Sequence, residues 1–197
     1  MSPPRTGRHD RDHIVATALV LLDEVGLADL TMRRLAAELD VQPSALYWHI
    51  RSKQELLAAV ADRILDRVQV PANASPTVED RLHAAAHGIR DALLAYRDGA
   101  EVVLSTEALR LGSSRALDLL TSALLSADGG SDETAVAAAE AALQFILGHT
   151  TLVQQRMHAE SHGAAADDVD DTTPDRVFET GIRLLARGFS PVSGRRA

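Results

Sequence analysis

Apolar residues recur along most of this chain with the period of an α-helix. In the first segment they stand three or four residues apart, at Ile14, Ala18, Leu21, Leu22 and Val25. This spacing places side chains on one face of a helix, whereas the two-residue alternation of a half-buried strand is scarce in this sequence. The pattern therefore predicts an all-α protein.

Four helices are predicted in the N-terminal part, over residues 10–25, 31–40, 43–49 and 52–68. Gly26 stops the first helix and Thr31 is a suitable N-cap for the second. Pro43 opens the third, because a missing N–H costs nothing in a first turn. Ser52 and Glu55 have capping-box spacing at the start of the fourth, so each side chain can bond the other's backbone N–H.

The apolar pattern of the rest of the chain predicts a larger helical domain, which we call the body. Its helices are expected over residues 76–96, 100–109, 114–125, 131–157 and 173–188, with a linker at 70–77 and an acidic loop at 162–173. The predicted division is a head (1–53), a connecting helix (54–69), an effector-binding and dimerisation domain (77–190) and a disordered tail (191–197).

Composition removes several classes of function. The chain has no cysteine, which excludes disulfides, thiolate nucleophiles and cysteine-based zinc sites. No uncharged apolar run approaches the roughly 20 residues that cross a bilayer, and residues 1–12 are too polar for a signal segment. These features predict a cytoplasmic protein that does not engage the membrane.

The net charge of −8 is spread unevenly. Residues 1–53 contain seven Lys/Arg and seven Asp/Glu, which leaves 13 basic and 21 acidic residues downstream. A neutral head can collect its basic groups on one face, as DNA binding requires, although the chain as a whole is acidic.

Two short helices packed on a longer one predict a helix-turn-helix, whose second short helix enters the major groove. An inward set can form a small core: Leu35, Ala36, Val41, Leu46 and Ile50. The rest of the segment then faces outward, including the adjacent Tyr47 and Trp48. Their aromatic groups suit contact with phosphate or a thymine methyl, although burial of Trp48 in the core is an alternative.

These residues carry a family resemblance. The strings Leu30-Thr31-Met32-Arg33-Arg34-Leu35-Ala36 and Leu46-Tyr47-Trp48-His49-Ile50, with Lys53 to Leu57, resemble the DNA-binding domain of the TetR family. Weaker likeness follows at residues 65–67, 92–94 and 97–100, so it covers most of the chain. The resemblance implies a three-helix helix-turn-helix head joined to a larger helical ligand-binding and dimerisation core.

The expected function is that of a ligand-responsive repressor that binds a palindromic double-stranded DNA operator as a homodimer and is released by a small-molecule effector. Residue chemistry and the resemblance together give the predicted DNA-binding set: Thr31, Arg33, Gln42, Pro43, Ser44, Ala45, Tyr47, Trp48, His49 and Lys53. Lys53, at a helix N-terminus, is expected to hold a phosphate. Asp40 stands where the family often has Gly, and it tolerates the left-handed turn.

The effector pocket is predicted from polar and aromatic residues of the body: His83, His87, Tyr96, Val103, Glu107, Gln144, Phe145 and His149. Val103 stands where the family's tetracycline-responsive prototype has a magnesium-binding histidine, and Glu107 replaces an arginine. Magnesium-tetracycline is therefore not the expected effector. Because Pro43, Ser44 and Ala45 also depart from the prototype, the operator is expected to differ.

Three other functions are alternatives to a ligand-responsive repressor: metal binding, catalysis or ligand transport, and DNA binding without an effector. His83/His87 and His158/His162 have i, i+4 spacing, but no third ligand is apparent, so neither a metal site nor a cofactor is predicted. An enzyme or ligand carrier would need chemistry that is missing here: there is no phosphate loop, no nucleophile elbow and no convincing acid/base pair. A DNA-binding protein without an effector also fits the head.

Overall fold

The structure is a computed structural model that describes residues 10–68, 77–125, 132–161 and 173–189. Within these ranges all regular structure is helical, which confirms the predicted all-α class. The helices are α1 Arg11–Asp29, α2 Met32–Glu38, α3 Pro43–Leu46, α4 Lys53–Leu65, α5 Val78–Leu94, α6 Gly99–Ala108, α7 Arg115–Leu124, α8 Asp132–Ser161 and α9 Thr173–Gly188. Each corresponds to one predicted helix.

The helix ends differ from prediction by a few residues. Gly26 leaves the helical conformation with φ 80°, so α1 is kinked there and a short helical stretch continues to Asp29. The regular part of α3 ends at Leu46, and residues 47–49 form a turn. Most of the predicted linker, most of the acidic loop, the first residue of the helix predicted over 131–157 and the tail lie outside the described residues.

The chain divides into two compact units. The first comprises Met1–Ile64 with Leu94–Ser113, and the second comprises Leu65–Leu93 with Ser114–Ala197. Helix α6 clusters with the first of these units, and the predicted division of the chain into domains remains a prediction. The division of the chain after Ile64 falls within α4, so the last residue of this helix, Leu65, is assigned to the second unit.

Each unit has its own apolar core. In the first unit the fully buried side chains include Ile14, Leu22, Leu30, Leu35, Leu46, Ile50, Leu56 and Ile64. In the second unit they include Leu65, Leu82, Ile89, Leu120, Ile146 and Phe178. Alanines at 135, 139 and 142 lie buried along α8, which packs on α7 and α9. Small residues allow such close helix approach.

Arginines close two helix ends in the second unit. Arg115 donates from Nε to the carbonyl of Leu65 at 3.0 Å and from a terminal nitrogen to that of Val68 at 3.2 Å. At the C-terminal end of α7, Arg81 donates hydrogen bonds to the carbonyls of Ala123 at 3.0 Å and Leu125 at 3.3 Å. The last carbonyls of a helix lack backbone partners, so these cations stabilise both ends.

By length and hydropathy, one helical segment among the described residues, Glu133–Ser161 of α8, would suffice to cross a bilayer. The sequence criterion passed over it because Glu140 interrupts the apolar run. A core helix of a soluble protein meets the same test, so this single segment is weak evidence for a membrane.

Candidate nucleic-acid interface and effector region

The turn between α2 and α3 has the geometry that its residues favour. Thr31 caps α2, with its hydroxyl accepting a hydrogen bond from the Arg34 N–H at 3.1 Å. Asp40 adopts φ 53°, the left-handed conformation expected for the turn. Leu35, Ala36, Leu46 and Ile50 are buried beneath it, and Val41 is half-buried, so the predicted small core is formed.

The outer side of this turn presents an aromatic and polar surface. Trp48 is 89% exposed and Tyr47 is 49% exposed, which rules out the alternative that Trp48 fills the core. Apart from Thr31, whose hydroxyl caps α2, the exposed members of the predicted DNA-binding set are Arg33, Gln42, Ser44, Ala45, Tyr47, Trp48 and His49. We call these seven residues the recognition surface. They lie on or next to α2 and α3.

The remaining members of the predicted DNA-binding set differ in setting. The Thr31 hydroxyl already serves as the α2 cap, and Pro43 is half-buried in the first turn of α3. Lys53 is half-buried, and its ammonium donates to the carbonyl of Leu27 at 3.4 Å. That bond is long, so it leaves the ammonium able to turn to another acceptor.

Ser52 caps the N-terminus of α4, but Ser52 and Glu55 do not form the predicted capping box, in which each side chain would bond the other's backbone N–H. Ser52 Oγ accepts from the Glu55 N–H at 3.1 Å, as predicted. The Glu55 carboxylate, however, accepts from the Arg51 N–H at 2.9 Å and not from the N–H of Ser52. Its second oxygen lies 3.8 Å from the Arg11 guanidinium, which pulls the carboxylate toward α1.

Sequence reasoning missed a contact that joins α6 to the head. Asp98 stands before α6 with φ 55°, and its Oδ2 accepts from the Leu27 N–H at 2.8 Å. The Arg97 N–H donates to Asp23 Oδ1 at 3.0 Å. The segment Arg97–Ala100, noted only as a likeness, therefore holds the start of α6 against the end of α1. A non-glycine residue in a left-handed turn could have signalled this role.

A second contact lies just after α6. Asp62 of α4 accepts from both the backbone N–H and the hydroxyl of Ser113, each at 2.7 Å. Glu107 lies nearby, and burial together with the Asp62 charge raises the pKa of its carboxyl. Both ends of α6 are therefore bonded to helices of the head, within the first unit.

The second unit contains a cluster of rings between α5, α8 and α9. The Phe178 ring is fully buried and stacks on Phe145 with 5.9 Å between centroids. His87 meets Phe178 edge-on at 5.2 Å, and the Arg90 guanidinium lies 5.0 Å from the centre of the same ring. Phe178 is not among the residues of the predicted pocket, although it lies at the centre of this cluster.

His149 is part of this cluster, and its surroundings disfavour the charged imidazolium. Its Nε2 donates to the carbonyl of Pro174 at 2.9 Å, whereas its buried Nδ1 has no partner among the described residues. A proton added to Nδ1 would find no acceptor. Burial is accordingly the main cause that lowers the pKa of His149 below its usual range.

The predicted pocket residues fall in both units. His83, His87, Phe145 and His149 lie in or beside the ring cluster of the second unit, whereas the neighbouring Gln144 is exposed. Tyr96, Val103 and Glu107 belong to the first unit, where Val103 is buried in the core. The pocket assignment remains a prediction.

A helix-turn-helix with an exposed recognition surface on an all-helical chain defines a class, the DNA-binding regulators of transcription. Comparison with known proteins agrees. Residues 14–60 match the family model of bacterial regulatory proteins of the tetR family, and residues 70–178 match the tetracyclin repressor-like C-terminal domain. This chain belongs to the TetR family, whose members are ligand-responsive repressors.

Individual relatives match over nearly the whole chain. The class D tetracycline repressor protein of Escherichia coli is 32% identical across 92% of this chain and 89% of its own length. The crystal structure of BioQ from Mycobacterium smegmatis is 39% identical with a TM-score of 0.81, covering 92% of this chain and 97% of that one.

Two further structures show what relatives bind. BioQ with its double-stranded DNA operator is 37% identical with a TM-score of 0.75, covering 92% of this chain and 98% of that one. A TetR variant from Acinetobacter baumannii in complex with minocycline is 32% identical with a TM-score of 0.73, covering 92% and 96%. These relatives are transcriptional regulators and not enzymes.

Proposed function

We propose that this chain represses transcription in the cytoplasm by binding a palindromic operator as a homodimer, and that a small-molecule effector releases it. The observation that carries the proposal is the exposure of Tyr47 and Trp48 beside α3. Leaving two large rings in water forgoes their burial energy, and DNA contact would recover part of it. The solved complex of BioQ with its operator supports this use of the same fold.

The recognition surface suits a DNA groove. Phenol, indole, imidazole and hydroxyl groups bond phosphate oxygens, and apolar rings pack on the thymine methyl. Gln42 is exposed at the N-cap of α3, where its amide matches an adenine edge. Arg33, exposed on α2, fits a guanine or a phosphate. Lys53 would supply a phosphate contact after releasing its long bond to Leu27.

Unpaired apolar side chains on α8 and α9 support the homodimer. Leu152 and Leu184 are each 66% exposed, with Met157 and Val177 also exposed. Side chains of this size on two long helices fit a second copy of the same pair, which makes a four-helix bundle. The twofold axis would then set two recognition surfaces about 34 to 36 Å apart, or a multiple of that distance, over a palindrome.

Helix α4 is the proposed route from effector to DNA. Its residues up to Ile64 belong to the unit with the recognition surface, and Leu65 belongs to the unit with the ring cluster. An effector bound among the body helices would shift α4 and so change the separation of the two recognition surfaces. A differential affinity of a few kcal/mol between the two separations suffices to release DNA.

The effector is proposed to differ from magnesium-tetracycline. Val103 is buried and has no ligand atom where the prototype has its magnesium-binding histidine. A direct enzymatic role is not proposed, because the relatives are regulators of transcription.

A mobility-shift assay with the DNA that flanks the protein's own gene tests the proposal. The wild-type chain should shift this DNA with affinity that falls steeply as salt rises. Tyr47→Ala should weaken binding by about tenfold or more, since base and phosphate contacts are each worth about 1 to 3 kcal/mol. Val20→Ala, which truncates another exposed residue of the head at 57% exposure, should bind like the wild type.

Undiminished binding by Tyr47→Ala would reject the recognition surface as drawn. A wild-type chain that shifts no DNA would favour the helical ligand carrier instead. Binding that no small molecule relieves would indicate a DNA-binding protein without an effector.

A further inference from the structure

Three potential metal ligands meet on the surface of the second unit. His83 and His87 stand one turn apart on α5, and Glu179 of α9 reaches both of them. Its Oε2 lies 2.9 Å from His83 Nε2, and its Oε1 lies 2.7 Å from His87 Nε2. The ligand atoms of all three residues lie within 4.8 Å of one another. The third ligand that was not apparent from the sequence therefore comes from a helix about 90 residues downstream.

The two histidine rings direct one nitrogen each toward the same carboxylate. Their centroids are 4.3 Å apart with an interplanar angle of 36°, so both imidazoles lie on the same side of α5. His87 Nε2 is buried and lies 2.7 Å from the Glu179 carboxylate, so two imidazole nitrogens and one carboxylate face each other at short range. A cation coordinated between them would replace these contacts with metal–ligand bonds.

We propose that His83, His87 and Glu179 form a binding site for a divalent transition-metal ion of the zinc class. Two imidazole nitrogens and a carboxylate are the donor set of a zinc site that keeps an open fourth position for water or another ligand. The rings of Phe178 and His149 hold this region in place: Phe178 precedes Glu179 and packs edge-on against His87.

The distances permit the ion with small movements. Ligand atoms about 2.0 to 2.2 Å from a tetrahedral metal are separated by roughly 3.3 to 3.6 Å. The present separations of 2.7 and 2.9 Å would therefore open by about half an ångström to one ångström. His83 and Glu179 are half-exposed at 46% and 35% of their side chains, so rotation of both is unhindered by a closed core.

Neighbouring charges do not oppose the ion. Arg90, the cation nearest on α5, is paired with Asp175 at the start of α9. Arg183 and Arg187 of α9 face Glu79 at 3.8 and 3.6 Å. The position of the prototype's magnesium-binding histidine adds no ligand here, because Val103 stands there, belongs to the other unit and has no donor atom. A bound ion would cross-link α5 and α9, and so stabilise the unit that carries the proposed dimer surface.

The test uses the purified full-length chain freed of metal and titrated with Zn²⁺ by calorimetry and with Co²⁺ by absorption. One ion per chain should bind, the Co²⁺ complex should show the intense visible bands of low coordination number, and the thermal midpoint should rise with Zn²⁺. His83→Gln and Glu179→Gln should each weaken binding at least tenfold, since even supporting residues of metal sites cost about that much.

The matched control is His13→Gln, which removes an exposed histidine from α1 of the other unit and should bind like the wild type. His83 and Glu179 are at the surface, so circular dichroism of the two variants should match the wild type. Equal Zn²⁺ affinity in the wild type, His83→Gln and Glu179→Gln would overturn the proposal. So would a Co²⁺ spectrum that stays that of the hydrated ion. Neither outcome bears on DNA binding.

Discussion

At the scale of single residues, the sequence predicted which side chains of the head are exposed, but it did not predict which distant residues come together. Tyr47 and Trp48 were predicted to face outward because a helix of this length cannot bury both sides, and the structure agrees. The spacing of His83 and His87 in the sequence shows that they lie on one side of a helix, but nothing in the sequence indicates that Glu179 lies beside them. No local pattern reveals which residue a distant helix will bring to a given face, since that depends on packing.

Glu107 gives a prediction of pH dependence at this scale. Burial and the Asp62 charge raise its pKa, so the folded state binds its proton more tightly than the unfolded state. Between the unfolded value near 4.5 and the higher folded value, stability should fall as pH rises, and the loss persists at neutral pH. Glu107→Gln should therefore raise the stability at pH 7 by up to about 1 kcal/mol, a modest figure because the group is half-exposed.

Urea unfolding at pH 7 and pH 4 measures this gain, which should shrink at the lower pH. Glu101→Gln makes the same charge change at an exposed position of α6 and should leave stability nearly unchanged. A gain at pH 4 as large as at pH 7, or an equal gain from the control, would contradict the assignment.

At the scale of elements, all described helices were predictable because each has local signals: an apolar stripe, a cap or a proline. Thr31, Pro43 and Ser52 are examples of correct starts. The contacts between helices were not predictable in the same way. Arg81 and Arg115 close helix ends 42 to 50 residues away in the chain, and Asp98 bonds Leu27 across 71 residues. Such bonds depend on the final packing of the helices.

The packing of α9 on α8 depends on a glycine. A Cβ added at Gly181 would lie 2.2 Å from Cζ of Phe145, so Gly181→Ala must displace that ring from its stack on Phe178. Overpacking costs about 1 to 3 kcal/mol, and the better helix propensity of alanine returns about 1 kcal/mol. The free energy of unfolding should fall by about 1 kcal/mol, measured by chemical denaturation.

Gly188→Ala is the comparison on the same helix, because a Cβ there meets no atom within 4 Å. That variant should be as stable as the wild type or slightly more so. If the free energy of unfolding of Gly181→Ala is not lower than that of Gly188→Ala, the packing of α9 on α8 does not depend on this glycine.

At the scale of the whole molecule, the family and the function class followed from the head. Residues 94–113, which the predicted division places in the body and which lie within the match to the C-terminal family model, make their contacts with the first unit. The reason is that Asp98 and Ser113 bond residues of α1 and α4, contacts of high sequence separation.

The homodimer gives the first prediction at this scale. Leu184→Glu places a charge on the apolar surface of α9, where the side chain is 66% exposed in the single chain. The subunit should keep its fold but lose association, because a buried unpaired carboxylate is costly at an interface. Sedimentation velocity should show a dimer for the wild type and a monomer for the variant.

Leu109→Glu places the same charge on another exposed leucine, outside α8 and α9, and should remain dimeric. A monomeric wild type, or equal association of the two variants, would show that α9 does not form the interface.

If two recognition surfaces of a dimer bind a palindromic operator, a nuclease footprint should show both half-sites at once. On the DNA flanking its own gene, the wild-type protein should protect two inverted half-sites whose centres lie about one helical turn, or a multiple of it, apart. Trp48→Ala should lose this protection at concentrations where Leu109→Glu retains it. Protection without inverted symmetry, or an unchanged footprint with Trp48→Ala, would contradict the account.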